Sequence, residues 1–328
     1  MPTVGDTNLT LADHANRMDP GGNIAAVVEV LSQQNAIIGD AVALQGNLTT
    51  GNRTNVRAGL PTVYWRRLNA GVPRSKSTVV PVEEPCALMT AFSRIDAELV
   101  NLSANPRAFR FSEDTAFMEA MQQKAATTMF YGNKQTESES FTGLANRYGD
   151  LSADNADNII NAQGSQSDNT SIWLIGWDEM KTSLIFPKET KAGLESEDHG
   201  KQIVQDADSN DFTAWITEFN WRLGMQVRDW RFNARICNID VSDLGTLANT
   251  KDLITWMIQA SERIEAMSGA KFKWYVNRTI REKLRLGILE KIASNLSWET
   301  VEGKRVMMFD DIEVGVCDAI LNTEDQVT

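Results

Sequence analysis

The most regular hydrophobic pattern in the chain predicts one long amphipathic helix over residues 112–131. Its apolar stripe consists of Phe117, Met121, Ala125 and Met129. The spacing of four residues places these side chains on one helical face. Ser112 is a favourable N-cap, and Gly132 in Tyr131-Gly132-Asn133 is expected in the left-handed position that commonly ends a helix. About 18 helical residues at 1.5 Å each make a rod of roughly 27 Å.

Three further segments have apolar residues at helical spacing. Near the N-terminus, Asn23 can cap an amphipathic helix that ends at Gly39. In the last third of the chain the same pattern predicts helices over residues 250–267 and 279–286. Strands are predicted between and after these two helices, which indicates an α/β or α+β domain.

Short β-prone runs predict the remaining strands. They are Ser171–Gly176, Thr182–Phe186, Lys271–Val276, Arg305–Phe309 and Ile312–Val316. Two others, Thr62–Leu68 and Ser77–Val82, are joined across Asn69-Ala70-Gly71 and predict a hairpin that projects at an edge, because prolines bracket it. Residues 40–60 and 188–209 are polar or charged and are expected to be loops.

Residues 215–236 have two alternating patterns of opposite parity. Apolar residues occupy odd positions up to Val227 and even positions from Trp230, so the parity changes at Arg228-Asp229. Since one extra residue exchanges the faces of a strand, this predicts a long strand with a β-bulge or bend there. Trp221 and Trp230 are expected to point inward. Some 16 residues at 3.3 Å span roughly 50 Å, so the protein is expected to be elongated.

The charge is unevenly distributed. The 328 residues have a formal net charge of −12, from 44 acidic and 32 basic residues, yet no acidic residue lies between Asp40 and Glu83. The basic residues of that interval are Arg53, Arg57, Arg66, Arg67, Arg74 and Lys76. Two interpretations stay open. The segment is either a solvated loop that happens to be basic, or an arm that binds nucleic acid or the acidic surface of another copy.

The residue types that carry catalysis or bind metals do not cluster in the sequence. His14 and His199 are both expected in polar loops, so Asp198 beside His199 is interpreted as a solvated neighbour. We find no zinc-ligand spacing and no glycine motif for phosphate. Glu83-Glu84 and Asp310-Asp311 are interpreted as turn residues. We therefore expect no catalytic residue, metal or cofactor.

The cysteines and the N-terminus bear on the compartment. Cys86, Cys237 and Cys317 are widely scattered, so a disulfide framework is not expected and a reducing cytosol is the natural place of folding. The first residues lack the basic and apolar regions of a leader peptide. No run approaches the roughly 18 apolar residues of a membrane span, so no membrane association is expected.

The order of these features resembles the major capsid proteins of phages with the Hong Kong 97 (HK97-like) fold. The predicted helix ends in Met129-Phe130-Tyr131-Gly132-Asn133, a polar loop follows, and Phe141-Thr142-Gly143-Leu144 comes next. In that family a long spine helix ends in an aromatic and glycine segment before a Gly-Leu step. Phe309-Asp310-Asp311-Ile312-Glu313-Val314 is similar to the family's axial-domain strand. The resemblance covers most of the chain and is closest to the epsilon-fifteen-like and Bordetella short-tailed phages.

This resemblance implies an α+β fold with an N-terminal arm, an extended β-hairpin loop, a peripheral domain with a long spine helix and long strands, and an axial α/β domain. The implied divisions are 1–58 for the arm, 59–85 for the extended loop, 86–150 and 210–240 for the peripheral domain, and 151–209 and 241–328 for the axial domain. Phe117, Met121 and Met129 are expected to pack the spine helix. One departure is that the long strand precedes the axial helices instead of coming last, which suggests a rearranged strand order.

The resemblance also implies a structural function. Hexamers and pentamers of the protein would form the icosahedral head around double-stranded DNA, in a virion assembled in the host cytoplasm. Its expected partners are further copies of itself, a scaffolding protein, a portal and a decoration or cement protein, with non-specific proximity to DNA. Arg66, Arg67, Arg74 and Lys76 are expected to contact carboxylates of a neighbouring subunit. Alternatives are an encapsulin-like nanocompartment shell and, from another class, a carboxylate-dependent hydrolase.

Overall fold

The computed structural model describes Leu9 and residues 32–165, 167–206, 208–244, 247–264, 269–289, 296–301 and 304–328. Its helices are α1 (Ala36–Asp40), α2 (Ala97–Leu102), α3 (Pro106–Tyr131), α4 (Leu144–Arg147), α5 (Leu247–Glu262) and α6 (Arg278–Leu289). Its strands are β1 (Ala43–Gln45), β2 (Gly51–Gly59), β3 (Thr78–Pro85), β4 (Ala87–Asp96), β5 (Ile159–Asn161), β6 (Asn169–Trp177), β7 (Thr182–Phe186), β8 (Leu194–Gln205), β9 (Asp211–Val227), β10 (Asn233–Asp240), β11 (Lys271–Val276), β12 (Leu296–Val301), β13 (Lys304–Phe309) and β14 (Ile312–Val316).

Twelve of these strands form one mixed sheet, in which the main order is β12-β13-β14-β11-β6-β7-β9-β4. Off this path, β1 pairs with β7, β8 with β9, and β10 with both β5 and β6. β2 and β3 pair only with each other, as a separate two-stranded hairpin. Parallel and antiparallel pairs both occur, which agrees with the predicted α+β class.

Apart from a small cluster of Ile95, Val100 and Phe109, the two faces of β6 divide the hydrophobic core into two clusters. Trp173, Ile175 and Trp177 contribute to the first cluster, which also contains the apolar side of α3. Ile172 and Leu174 contribute to the second, which contains the apolar residues of α5 and α6. Successive side chains of a strand point to opposite faces, so a strand that is buried along its whole length supplies both cores.

Helix α3 is longer at its N-terminus than predicted. It has 26 residues and begins at Pro106, so the predicted start at Ser112 is wrong. The side chain of Asn105 accepts a hydrogen bond from the N–H group of Ala108, and Pro106 needs no such partner in the first turn. The Asn-Pro pair is thus the actual start signal. Residues 106–111 add more than one helical turn.

The helix ends at Tyr131, as predicted, but Gly132 has another role than the one expected. Its φ of −52° is not left-handed. A Cβ atom at this position would instead clash with the carbonyl oxygen of Phe141 and lie 2.6 Å from that of Thr128. Glycine is required here because the chain that follows the polar loop returns against the end of the helix.

Residues 215–236 form two strands joined by a bend, which is one of the two predicted alternatives, and not one bulged strand. β9 has 17 residues, or roughly 55 Å at 3.3 Å per residue. The chain then bends at Arg228-Asp229, makes a short 3₁₀ turn over Trp230–Phe232, and continues as β10 against β6. The carboxylate of Asp229 caps this turn. Trp230 therefore lies 39% exposed, and its predicted inward position is wrong.

Several strands lie outside the segments that the pattern marked. The first hairpin strand is β2, not Thr62–Leu68, so part of the predicted 40–60 loop is a strand. The predicted loop 188–209 contains β8, which pairs along β9, and the segment before α2 contains β4. β2 and β8 have polar sequences of low strand propensity. They are strands because their backbone hydrogen bonds pair with β3 and β9, respectively.

The bounds of three helices also differ from the predictions. In the N-terminal helix predicted between Asn23 and Gly39, residues 23–31 lie outside the described residues, and α1 begins only at Ala36. α5 begins at Leu247 instead of Thr250 and ends at Glu262. α6 extends from Arg278 to Leu289, beyond the predicted 279–286 at both ends.

Candidate assembly interface

The hairpin of β2 and β3 carries a long loop, residues 60–77, which is termed the arm tip here. Every residue of the arm tip is exposed. The four predicted contact residues, Arg66, Arg67, Arg74 and Lys76, all lie in it. Within the described part of the chain, their side chains have no hydrogen-bond or ion-pair partner. The structure thus places the four cations in one exposed loop, where they form no ion pair with the described body of the same subunit.

The arm tip also exposes large apolar side chains, which the sequence analysis did not identify as contact residues. Trp65 is fully exposed, and Leu68 and Val63 are 94% and 89% exposed. Leu60 and Val72 lie in the same loop and are exposed as well. Several large exposed apolar side chains on one projecting loop are typical of a protein–protein interface. Trp65, which two arginines follow directly, was the available signal in the sequence.

The base of the hairpin is fixed to the body by a bidentate ion pair. Nη1 and Nη2 of Arg147 donate to the two carboxylate oxygens of Glu84 at 2.6 and 2.8 Å. Nη2 also lies 3.2 Å from the carbonyl oxygen of Thr142 and 3.4 Å from that of Met225. Glu84 is buried, so the turn role predicted for it is wrong. Because Arg147 lies at the end of α4, it couples the hairpin to the segment after the spine helix.

A second contact at the hairpin base uses neutral side chains. Nδ2 of Asn52 donates to Oε1 of Gln226, and Nε2 of Gln226 donates to the hydroxyl of Ser183 at 2.7 Å. All three residues are buried. The hairpin therefore has a buried, hydrogen-bonded base and an exposed tip.

The predicted packing residues of the spine helix lie over the long strand. Met121 and Met129 are buried in the first core cluster. Phe117 is half-buried and stacks on Phe219 of β9, with ring centroids 6.3 Å apart. Phe130, which was not singled out, contacts Trp173 at a centroid distance of 6.0 Å. These contacts fix the helix across the sheet.

The end of the spine helix is also tied to the C-terminal segment. The phenol of Tyr131 donates to Glu324 and accepts a hydrogen bond from the N–H group of Leu321. Glu324 in turn pairs with Arg235 of β10 at 2.8 Å and accepts a hydrogen bond from Ser171 of β6. Burial and the neighbouring Glu324 carboxylate raise the pKa of Tyr131, so the phenol stays protonated and remains a donor.

A cleft under the spine helix is apolar inside and acidic at its rim. It has a volume of about 130 Å³. Its apolar walls are Ala87, Leu88, Met89, Ala125, Phe141, Trp221 and Leu223. Glu137 and Glu139, both exposed, lie on the polar loop that borders the opening. Lys124 of the spine helix also lines the opening and pairs with Glu137 at 3.5 Å, so two carboxylates face one ammonium group and the rim is negative by one charge. This feature is termed the acidic cleft.

The remaining candidates for chemistry form structural contacts. His199 lies in β8, not in a loop, and its Nε2 is 2.7 Å from Oε2 of Glu218. Asp198 pairs with Arg110 of the spine helix at 2.8 Å. Burial alone would raise the pKa of Asp198, but the hydrogen bonds from Arg110 and from the Gly200 backbone keep it below its usual value. Asp310-Asp311 occupy a turn, as predicted, with φ of 45° and 66°.

Two searches of the described residues found no candidates. In that part of the chain no three His, Cys, Asp or Glu side chains are grouped so that they could hold a metal ion. Among the same residues, no helix combines the length and the apolar character needed to cross a membrane. His14 lies outside the described residues.

Comparisons with known proteins identify the family. Residues 19–328 match the family model of the major capsid protein GP7. A chain of bacteriophage Epsilon15, determined by cryo-EM, is 33% identical, with 100% of both chains covered and a TM-score of 0.80. No curated protein matches the sequence.

More distant solved structures were also found. An encapsulin of Synechococcus elongatus PCC 7942 is 9% identical, with 70% of this chain and 96% of that chain covered and a TM-score of 0.45. A chain of Microbacterium phage Oxtober96 is 10% identical, with 69% and 98% covered and a TM-score of 0.44.

The family model and the Epsilon15 structure together confirm the predicted HK97-like fold and the predicted capsid function. The match to Epsilon15 extends over the whole chain, so it includes the hairpin, the spine helix and the long strand described above. This chain belongs to the phage major capsid protein GP7 family, whose members assemble with copies of themselves into the capsid shell of the virion.

Proposed function

We propose that copies of this chain form the hexamers and pentamers of an icosahedral head around double-stranded DNA, and that the arm tip is the main contact between neighbouring subunits. The observation that carries the proposal is the exposed apolar surface at Trp65 and Leu68. Burial of one such side chain contributes about 1.5–3 kcal/mol. Each contact is therefore modest, and a closed shell gains its stability from the number of contacts.

The acidic cleft of a second copy is the proposed acceptor of the arm tip. Its apolar interior suits an aromatic anchor, and its rim, with Glu137 and Glu139 against the single Lys124, is opposite in net charge to Arg66 and Arg67. Such complementarity fixes the orientation of a contact and excludes wrong partners. In this arrangement Arg74 and Lys76 add to the positive field of the arm, and the spine helix that covers the cleft carries the contact into the core.

The proposed domain division is the one that the capsid resemblance implies, and residues of both domains contribute to each core cluster. Residues 1–58 are the N-terminal arm and 59–85 the extended loop. The peripheral domain consists of 86–150 with 210–240, and the axial domain of 151–209 with 241–328. In support, the first cluster contains the spine helix and the second contains α5 and α6. Because β8 pairs along β9, the two domains share one sheet.

We propose a structural role without catalysis, and partners beyond the shell itself. These partners are a scaffolding protein, a portal and a decoration or cement protein, with assembly in the host cytoplasm. A net charge of −12 supports contact with packaged DNA that is non-specific, since most of the surface repels phosphate. The two adjacent carboxylate pairs of the sequence are Glu83-Glu84 and Asp310-Asp311. The ion pair of Glu84 with Arg147 supports a role without catalysis, because it gives this glutamate a structural function.

Assembly of arm-tip variants, examined by electron microscopy, tests the main proposal. We expect Trp65→Ser/Leu68→Ser and Arg66→Glu/Arg67→Glu to yield folded subunits that do not form closed particles. Trp65→Phe is the matched conservative variant and should retain particles. Arg66→Gln/Arg67→Gln separates the loss of attraction from active repulsion. Normal shells from the Trp65→Ser/Leu68→Ser variant would refute the role of the arm tip.

A charge exchange tests the proposed acceptor separately. Glu137→Arg/Glu139→Arg should block assembly by itself and should restore particles when it is combined with Arg66→Glu/Arg67→Glu. If the arm variants fail to assemble and the exchange does not rescue them, the arm tip docks on another part of the neighbouring subunit.

A further inference from the structure

A concave site lined by three arginines lies on the second core cluster, far along the sequence from the hairpin arm. Its lining residues are Arg281 and Arg285 of α6, Trp298 of β12 and Arg305 of β13. The cleft has a volume of about 390 Å³. It is termed the arginine cleft. Its side chains come from a helix and from the β12–β13 ribbon at the edge of the large sheet, and the same core positions both.

The three cations of the arginine cleft have no carboxylate partner in the described part of the chain. Arg278, one turn before Arg281, shows the contrast. Its Nε and Nη2 donate to the carboxylate of Asp318 at 2.6 and 2.8 Å. Arg281 has no such bond, and its Nε is buried without a partner. Burial lowers the pKa of Arg281, and the positive charges of Arg285 and Arg278 lower it further.

The arrangement is electrostatically unfavourable without a ligand. Arg281 and Arg285 are four residues apart on a helix, so their like charges face the same side and repel. The guanidinium of Arg285 also lies over the Trp298 ring, 5.6 Å from its centroid, which orients it in the cleft. Glu299 follows Trp298 in β12 and therefore points to the other face of the ribbon. Among the described residues of a protein with a net charge of −12, three cations thus share one concavity without a carboxylate partner.

We propose that the arginine cleft binds a phosphate group. Guanidinium groups offer paired N–H donors that match the oxygens of phosphate. Three guanidinium groups carry more positive charge than a single carboxylate can neutralise, which favours a phosphate group as the ligand. The indole of Trp298 provides an apolar wall on which a nucleobase or sugar can rest. Two sources share this chemistry, namely a free polyphosphate compound and the phosphodiester backbone of nucleic acid. The proposal is independent of the arm tip and of its acceptor.

Binding also has a consequence for stability. An anion in the cleft removes the repulsion between Arg281 and Arg285, and it ties α6 to the β12–β13 ribbon. A ligand that binds only the folded state raises the midpoint of thermal unfolding as its concentration increases. The site therefore has a readout that does not depend on capsid assembly.

The test is calorimetric titration of the purified full-length protein with inorganic pyrophosphate, together with its thermal unfolding. We expect saturable binding, and a loss of affinity of about tenfold or more in Arg281→Gln/Arg285→Gln. Arg285→Gln/Arg305→Gln is the second variant, and because both of its residues are exposed it keeps the fold intact. Arg107→Gln, an exposed arginine of the spine helix, is the matched control and should bind as the wild type does.

A second titration, with a single-stranded oligonucleotide, identifies the source of the phosphate. If the same variants weaken oligonucleotide binding, nucleic acid supplies the group. If only pyrophosphate responds, the source is a free phosphate compound. Absence of pyrophosphate binding, or equal binding by the wild type and both cleft variants, would overturn the proposal. If the wild type binds no pyrophosphate and the cleft variants lose shell assembly, the proposal is also overturned, because the cleft would then hold an acidic segment of another subunit.

Discussion

Arg235 and Glu324 form a buried ion pair, 2.8 Å apart, that fastens the C-terminal segment to the centre of the sheet. Each side chain is 4% exposed. Nη1 of Arg235 also donates to the carbonyl oxygen of Tyr148 at 2.8 Å, and its guanidinium lies over the Trp173 ring. Glu324 reaches Tyr131 at the end of the spine helix. One carboxylate therefore connects three parts of the chain.

Removal of this carboxylate should strongly destabilise the subunit. Glu324→Ala leaves the Arg235 charge buried and unpaired, and we expect a loss of about 3–5 kcal/mol in the free energy of unfolding. Urea denaturation of the purified protein, followed by tryptophan fluorescence, measures it. Asp325→Ala is the matched control, because Asp325 is exposed in the same segment, and it should change stability by less than about 0.5 kcal/mol. Equal stability of the two variants would contradict this role of Glu324.

The ion pair of Arg147 and Glu84 should control the hairpin locally. In Arg147→Gln the base of the hairpin loses charged hydrogen bonds worth about 1.5–3 kcal/mol. Amide hydrogen exchange in β2 and β3 should then be about 10 to 100 times faster, while the core strand β6 keeps its protection. Arg53→Gln alters an exposed arginine of the same hairpin and should leave exchange unchanged. Uniformly faster exchange would mean that Arg147 supports the whole fold.

Close backbone approach at the end of the spine helix should make Gly143 sensitive to any side chain. A Cβ atom there would lie 2.6 Å from the carbonyl oxygen of Thr128 and 2.7 Å from that of Phe130. Since both obstacles are backbone atoms, we expect Gly143→Ala to cost about 1–3 kcal/mol. The midpoint of thermal unfolding measures this change. Gly71→Ala in the arm tip, where no atom lies within 4 Å of the added Cβ, should be nearly neutral.

The contact of His199 and Glu218 predicts a pH dependence of stability. The hydrogen bond to Glu218 raises the pKa of His199 above its ordinary 6.5, and the same bond lowers the pKa of Glu218 below 4.5. The histidine contribution is complete below pH 6.5 and is lost as the pH rises through the raised value. The glutamate contribution is complete above pH 4.5 and is lost as the pH falls through the lowered value.

The pair should therefore stabilise the protein most between these two values. We expect the difference in unfolding midpoint between the wild type and His199→Gln to be largest near about pH 5.5 and to decrease towards about pH 9. His199→Gln/Glu218→Gln, which removes both titrating groups, should show the same profile as the single variant. A difference that is constant over this range would show that the histidine acts only through packing.

Local patterns in the sequence predicted the elements whose stability is local or whose apolar spacing is regular. The spine helix ends at Tyr131 as its Tyr-Gly step indicated, and β7, β11 and β14 coincide with the predicted strands. The order of these features was sufficient for the capsid resemblance. The strands that were not predicted also share a cause. β2 and β8 have polar sequences and are strands because a neighbouring strand satisfies their backbone hydrogen bonds.

Some features of the candidate interface could likewise be predicted from the sequence, and others only from the tertiary structure. Charge counting along the chain located the basic arm, since an interval without acidic residues is visible in one dimension. The bond between Arg147 and Glu84 could not be predicted, because 63 residues separate the two and neither belongs to a motif. The exposure of Trp65 is likewise a tertiary property, because the burial of an apolar side chain depends on which other residues surround it in the folded chain. Periodicity and charge are encoded locally, whereas burial and pairing between distant residues exist only once the sheet has closed over its two cores.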